Sequence, residues 1–151
     1  MTEIIKANVN DDRILTEITK TSKAYWGYSD KQMDEWSDLL TITSEYIQKN
    51  QVYKLIVNQS SIAYYSYFET ENNSVRLDNL FVSPKNIGIG YGKLLMNDFI
   101  LKIKQSERSR IILDADPNAQ KFYESFGFTK FGQIETSIID RFLPIMELKL
   151  D

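Results

Sequence analysis

Three glycines at alternate positions, Gly88, Gly90 and Gly92, stand between an apolar run ending at Val82 and a helical pattern that begins near Gly90. Val75–Val82 reads as a strand. Beyond the glycines, Leu95, Phe99 and Ile103, with Met96 and Ile100 beside them, repeat at helical spacing to about Gln105. A chain with this order folds with a strand, a glycine loop and a helix start in direct succession. Such a loop leaves backbone N–H groups uncovered by side chains and aims them, along the helix dipole, at one point. That arrangement binds an anion, most often phosphate, and Lys85 and Lys93 are near enough in sequence to add charge.

Spacing narrows the phosphate ligand. A Walker A loop needs glycine where Ile87 stands and Ser or Thr where Leu94 stands. The dinucleotide fingerprint needs glycine at the place of Lys93, and it follows its strand at once, whereas here Ser83–Ile87 intervene. Asp114, at a strand end downstream, keeps a nicotinamide or flavin reading open. A glycine-rich turn with no ligand is the bland alternative.

Composition then limits the chemistry. The 151 residues contain no histidine and no cysteine. Disulfides, structural zinc, a Ser-His-Asp set and an acyl-cysteine intermediate are therefore excluded, and no metal site is expected. Catalysis must use Asp, Glu, Tyr, Lys, main-chain amides or water. With 18 basic and 21 acidic residues the net charge is −3, which argues against a general nucleic-acid binder. The acidic opening MTEIIKANVNDD does not resemble a signal peptide, and no run of about 18 apolar residues occurs. The expectation is a soluble, cytoplasmic protein with no membrane partner. Residues 1–151 read as a single domain, in line with the usual span of about 100–200 residues.

The remaining elements follow from period and punctuation. Glu3–Val9 reads as a strand, and Asn10-Asp11-Asp12 caps a helix carrying Ile14, Leu15, Ile18 and Thr21. Tyr25-Trp26-Gly27-Tyr28 forms an aromatic turn before a second helix, capped by Ser29-Asp30 and running through Met33, Trp36, Leu39 and Leu40. Thr43–Ile47 reads as a third, short helix. Val52–Val57 and Ser61–Glu69 read as a hairpin about Asn58-Gln59-Ser60. Arg110–Leu113 is a short buried strand. Asp116-Pro117 opens a helix with Ala119, Phe122, Tyr123 and Phe126 on its apolar face, and Gly127 stands where a left-handed cap belongs. Strands at about Phe128–Glu135 and Phe142–Leu150 complete an α+β order: a mixed, mostly antiparallel central sheet of about six or seven strands flanked by helices.

Two segments carry a family resemblance. Leu80-Phe81-Val82-Ser83-Pro84 followed by Ile87-Gly88-Ile89-Gly90-Tyr91-Gly92 resembles the strand and Q/R-x-x-G-x-G/A loop of the GNAT superfamily of acyl-CoA-dependent N-acyltransferases, with Ile87 where Gln or Arg is usual. Asn118-Ala119-Gln120-Lys121-Phe122-Tyr123-Glu124-Ser125-Phe126-Gly127-Phe128 is similar to the second segment, and the two stand in the family's order. The resemblance covers nearly all of the chain. The N-terminal helices are its least diagnostic part.

The resemblance implies acetyl-CoA, as cosubstrate, in a splay between the strands Val75–Val82 and Arg110–Leu113. Its pyrophosphate would lie on the amides of Ile87, Gly88, Ile89, Gly90, Tyr91, Gly92 and Lys93, its pantetheine against main-chain groups of Phe81 and Val82, and Asn118 would bond the pantetheine arm. Without cysteine or histidine the acyl group passes directly from thioester to amine, so the ammonium must lose a proton, the carbonyl must be polarised and the thiolate must gain a proton. Tyr123 matches the family tyrosine and is the expected donor to the thiolate; on helix spacing alone it reads as core. An amide at or near Val82 would polarise the carbonyl. Asp78, on the strand face of Leu80 and Val82, is the candidate base, set against a plain ion pair with Arg76 or Arg141; Glu69, Asp114 and Asp116 are reserves. Tyr25, Trp26 and Tyr28, near Trp36, are expected to line the pocket of a small-molecule or peptide amine, or else to be core packing. An acyl-CoA-binding module without transfer is the competing function, and a homodimer is compatible with the sequence.

Overall fold

A computed structural model describes residues 1–136 and 141–150. The strand β1 (Thr2–Lys6) leads into helices α1 (Asp12–Tyr25), α2 (Asp30–Glu35) and α3 (Ser44–Lys49). Strands β2 (Gln51–Val57), β3 (Ser60–Thr70) and β4 (Ser74–Val82) follow, then α4 (Tyr91–Gln105), β5 (Arg110–Asp114), α5 (Gln120–Glu124), β6 (Thr129–Glu135) and β7 (Phe142–Lys149). Among the described residues seven strands form one sheet in the order β1-β2-β3-β4-β5-β7-β6. The β1–β2, β2–β3, β5–β7 and β6–β7 ladders are antiparallel, and β4–β5 is parallel. No helix among the described residues is long and apolar enough to cross a membrane. Residues group into two compact units, one of Met1–Tyr67 with Asn79–Leu101, the other of Phe68–Asp78 with the described residues from Lys102 onward.

In the first unit, Asn8 and Asp11 form a reciprocal capping box on the 3-10 turn Val9–Asp11 that leads into α1, so the capping side chain stands two residues before the expected Asn10-Asp11-Asp12. Asp11 also takes the Lys54 ammonium at 2.9 Å, which lets a lysine in the middle of β2 be buried. α1 buries Leu15, Ile18, Thr19 and Ser22, the spacing of one helical face. Thr21, expected to continue that stripe, is exposed. A core forms from Ala7, Leu15, Ile18, Ile42, Ile47, Val52 and Tyr64, with Phe81 packed against it. Alternation along β3 sends Tyr65 and Tyr67 to the opposite face, where both rings meet Phe99 of α4 at 5.3 and 5.1 Å. Tyr65 donates to Asp98 Oδ2 at 2.7 Å, tying α4 to the sheet. Burial, and then that carboxylate, push the Tyr65 phenol far above its ordinary pKa.

α2 is shorter than expected, ending at Glu35, and buries no residue. Its Ser29 cap is as expected, with the hydroxyl accepting from the Gln32 amide at 3.1 Å. The turns at Asn58-Gln59 and Asn72-Asn73 hold left-handed backbone, a conformation that asparagine tolerates better than most residues.

In the second unit, Ile111, Leu113, Ala115, Tyr123, Phe128 and Met146 are buried. The helix expected after Asp116-Pro117 is a 3-10 turn at Pro117–Ala119 followed by the five residues of α5. Asp116 caps it as expected, accepting from the Asn118 amide at 2.9 Å. Gly127 closes it at φ +98°, and a Cβ there would come within 3.3 Å of Leu148 Cδ1.

Candidate active site

β4 runs out of the core into the glycine loop, and the loop's geometry follows from its residues. Pro84 starts a 3-10 turn at Pro84–Asn86, and the Ile87 amide closes it by donating to Pro84 O at 3.3 Å. Ile87 therefore already has a main-chain partner, unlike the rest of the expected anion cradle. Gly88 and Gly90 take φ +85° and +102°, values that side-chain-bearing residues rarely adopt, with open space where a Cβ would stand. Leu94 donates to Gly90 O at 3.1 Å, which starts α4. Among the described residues no main-chain or side-chain acceptor takes the amides of Gly88, Ile89, Gly90, Tyr91, Gly92 or Lys93. Six donors at the positive end of a 15-residue helix are left for a ligand or water. Lys85 and Lys93 are both exposed near them in sequence.

The end of β4 is held from one side by α1. Ser22 Oγ donates to Val82 O at 2.6 Å, so this carbonyl is occupied within the protein. Phe81 is half-buried, its ring 6.1 Å from that of Tyr64. The parallel β4–β5 ladder spans three pairs, Ser74↔Arg110, Val75↔Ile111 and Arg76↔Ile112. The β4 residues beyond Arg76 lie outside it.

The aromatic turn after α1 divides in two. Tyr25 and Trp26 are 55% and 48% exposed, with rings edge-to-face at 5.5 Å. Tyr28 instead packs edge-to-face on Trp36 at 4.9 Å, and the Lys23 ammonium lies 5.5 Å from both ring centres. Within this turn, Tyr25 and Trp26 are the residues that present open aromatic surface.

Asp78 is exposed on β4 rather than enclosed in the sheet, so the burial cost that singles it out in the sequence does not arise. Arg76 binds Asp114 at 2.9 Å and Arg141 binds Asp116 at 3.1 Å, and Asp78 has an interaction of its own. Glu69 pairs with Arg108 at 2.8 Å, so each reserve base has an arginine. Asn118 Nδ2 donates to Asp116 Oδ1 at 3.0 Å, the local capping role that competes with a cofactor contact.

Tyr123 is 8% exposed, between Phe122 and Phe128. Burial, with Asp116 adding to it, pushes its pKa well above the ordinary tyrosine value. Among the described residues its hydroxyl has no hydrogen-bond partner, and it is not sealed from solvent.

Three residues stand out only in the structure. Asn79 Nδ2 donates to Tyr46 Oη at 3.1 Å and to Ser66 Oγ at 3.0 Å, and the two hydroxyls lie 2.8 Å apart. An asparagine inside a strand, next to the apolar Leu80-Phe81-Val82, is the signal the sequence offers for them, since strands are depleted in that residue.

The sequence model described as an acetyltransferase (GNAT) domain matches residues 26–145. An uncharacterized N-acetyltransferase of Porphyra purpurea is 36% identical over 52 residues, 34% of this chain and 30% of that protein's length. Among solved structures, the PaiA N-acetyltransferase of Thermoplasma acidophilum in complex with coenzyme A superposes with TM-score 0.82 at 19% identity over 99% of both chains. A GNAT-family acetyltransferase of Staphylococcus aureus gives 0.77 at 20% identity over 100% of both. The ribosomal-protein-S18-alanine N-acetyltransferase of Escherichia coli gives 0.76 at 19% identity over 99% of this chain and 94% of the other. At these identities the likeness is one of fold.

Proposed function

The chain belongs to the GNAT acetyltransferase family, and from that premise we propose that it moves an acetyl group from acetyl-CoA directly to a primary amine of a small molecule or peptide. The observation that carries this reading is the set of six amides, Gly88 to Lys93, with no acceptor among the described residues. A diphosphate satisfies several such donors at once, and the α4 dipole favours its charge. Pantetheine then lies back along the end of β4, past Val82 and Phe81.

The amine nitrogen attacks the thioester carbon, the C–S bond breaks, and the amine gives up a proton. Asp78, exposed on β4, takes that proton through water. The electron pair of the broken bond stays on sulfur, which takes a proton for which Tyr123 is the proposed donor, and solvent water returns a proton to the phenolate. The raised pKa of Tyr123 keeps the phenol protonated across the neutral range, so the hydrogen is present whenever the thiolate forms. Tyr25 and Trp26 provide the open aromatic surface for the acceptor.

The test has two parts. Saturating acetyl-CoA raises the melting temperature, as a ligand of the folded state must, while NADH and ATP do not. With a panel of amines, free thiol is then released, and Tyr123→Phe lowers kcat by roughly a hundredfold at unchanged CoA affinity. No thermal shift contradicts the cofactor assignment; unchanged turnover removes Tyr123 from the mechanism.

A further inference from the structure

We propose that Asn79 binds the attacking nitrogen of the acceptor, with its side-chain carbonyl accepting a hydrogen bond from the N–H. An asparagine amide has two hydrogens on nitrogen and one carbonyl oxygen. Here Nδ2 donates toward both hydroxyls, with Tyr46 Oη at 3.1 Å and Ser66 Oγ at 3.0 Å. Ser66 is fully buried, and the two hydroxyls are bonded to each other at 2.8 Å, so the pair forms a fixed base for the amide. These contacts hold the Nδ2 end of the amide against the hydroxyls and so turn Oδ1 away from them. Among the described residues no donor reaches Oδ1, which stays open to solvent.

The placement along β4 fits this task. If the diphosphate lies on the amides of Gly88 to Lys93 and pantetheine runs back past Val82 and Phe81, the reacting end lies further toward the start of the strand. Asn79 is three residues before Val82, about 10 Å at strand rise. Its side chain is on the face shared with Phe81, opposite to that of Asp78. A fixed neutral acceptor orients an amine without protonating it, and it gains nothing from a nucleophile that lacks N–H, such as a tertiary amine. Tyr46 and Ser66 are positioning residues, acting through the asparagine.

The inference rests on the acetyl-CoA reading, and its test separates the two without needing the natural acceptor. Coenzyme A alkylated on sulfur with N-ethylacetamide carries an amide N–H where the attacking nitrogen would be; the N-ethyl-N-methyl version lacks it. Calorimetric titration of the native protein with both probes should show the N–H probe binding about tenfold tighter. In Asn79→Ala, where Tyr46 and Ser66 still satisfy each other, that ratio should fall to near one while the affinity for CoA itself stays unchanged. Ser66→Ala should leave a smaller ratio than native, because the amide is less firmly held. A ratio that is near one in the native protein, or that persists in Asn79→Ala and in Asn79→Ser, overturns the assignment of Asn79. Absence of CoA binding overturns the cofactor reading instead.

Discussion

At the scale of single residues, burial sets the behaviour of the two perturbed tyrosines. Tyr65 and Tyr123 both have phenols whose pKa is raised chiefly by desolvation, with Asp98 adding to the first and Asp116 to the second. A group whose folded pKa lies above its unfolded value gives stability that is fully present below the unfolded value, about 10 for tyrosine, and is lost as pH rises above it. Denaturant titrations at pH 8 and pH 11 should therefore show the native protein losing stability at the higher pH. Tyr65→Phe should lose less over that interval. At pH 8 the same substitution should cost about 1 kcal/mol, through the lost bond to Asp98. An equal pH dependence in both proteins would mean that Tyr65 ionises no less readily in the fold than in the unfolded chain.

At the scale of elements, the loop before α4 is where backbone conformation and the proposed cofactor site meet. Gly88 and Gly90 require left-handed backbone, yet neither is pressed by a neighbour. Gly90→Ala should thus introduce strain of about 1–2 kcal/mol, local to the loop. The expected outcome is a protein that still folds, with its melting temperature a few degrees lower and its affinity for CoA reduced at least tenfold as the amides lose their common aim. Unchanged CoA affinity would show that the loop amides do not hold the cofactor. This loop is legible in the sequence because alternate glycines ahead of a helical pattern both free the backbone to turn left-handed and bare its amides. α4 and β4 are equally legible, being long and strongly periodic. α2 is not: Met33, Trp36, Leu39 and Leu40 suggest a buried helical stripe, but the helix stops at Glu35 and Leu39 is exposed. The aromatic pair Tyr28–Trp36 closes on Lys23 instead, a tertiary arrangement that periodicity does not carry.

At the scale of the whole molecule, the sheet order β1-β2-β3-β4-β5-β7-β6 realises the expected mixed sheet, because most of its strands are marked by turn residues at their ends. Proposed site residues are legible to the degree that their proposed roles are main-chain roles, as for the uncapped amides of Gly88 to Lys93. Side-chain roles depend on partners distant in sequence. Arg76 and Arg141 hold Asp114 and Asp116, and the Asn79 amide joins hydroxyls from residues 46 and 66, pairings that no local pattern displays. The central claim remains that uncapped amides at the start of α4 grip a diphosphate. Calorimetric titration of the native protein with coenzyme A and with pantetheine, which has the same thiol arm but no phosphate, tests it most directly. Two charge-assisted bonds of about 1.5 kcal/mol each predict CoA binding on the order of a hundredfold tighter; equal affinities for the two ligands would contradict the account.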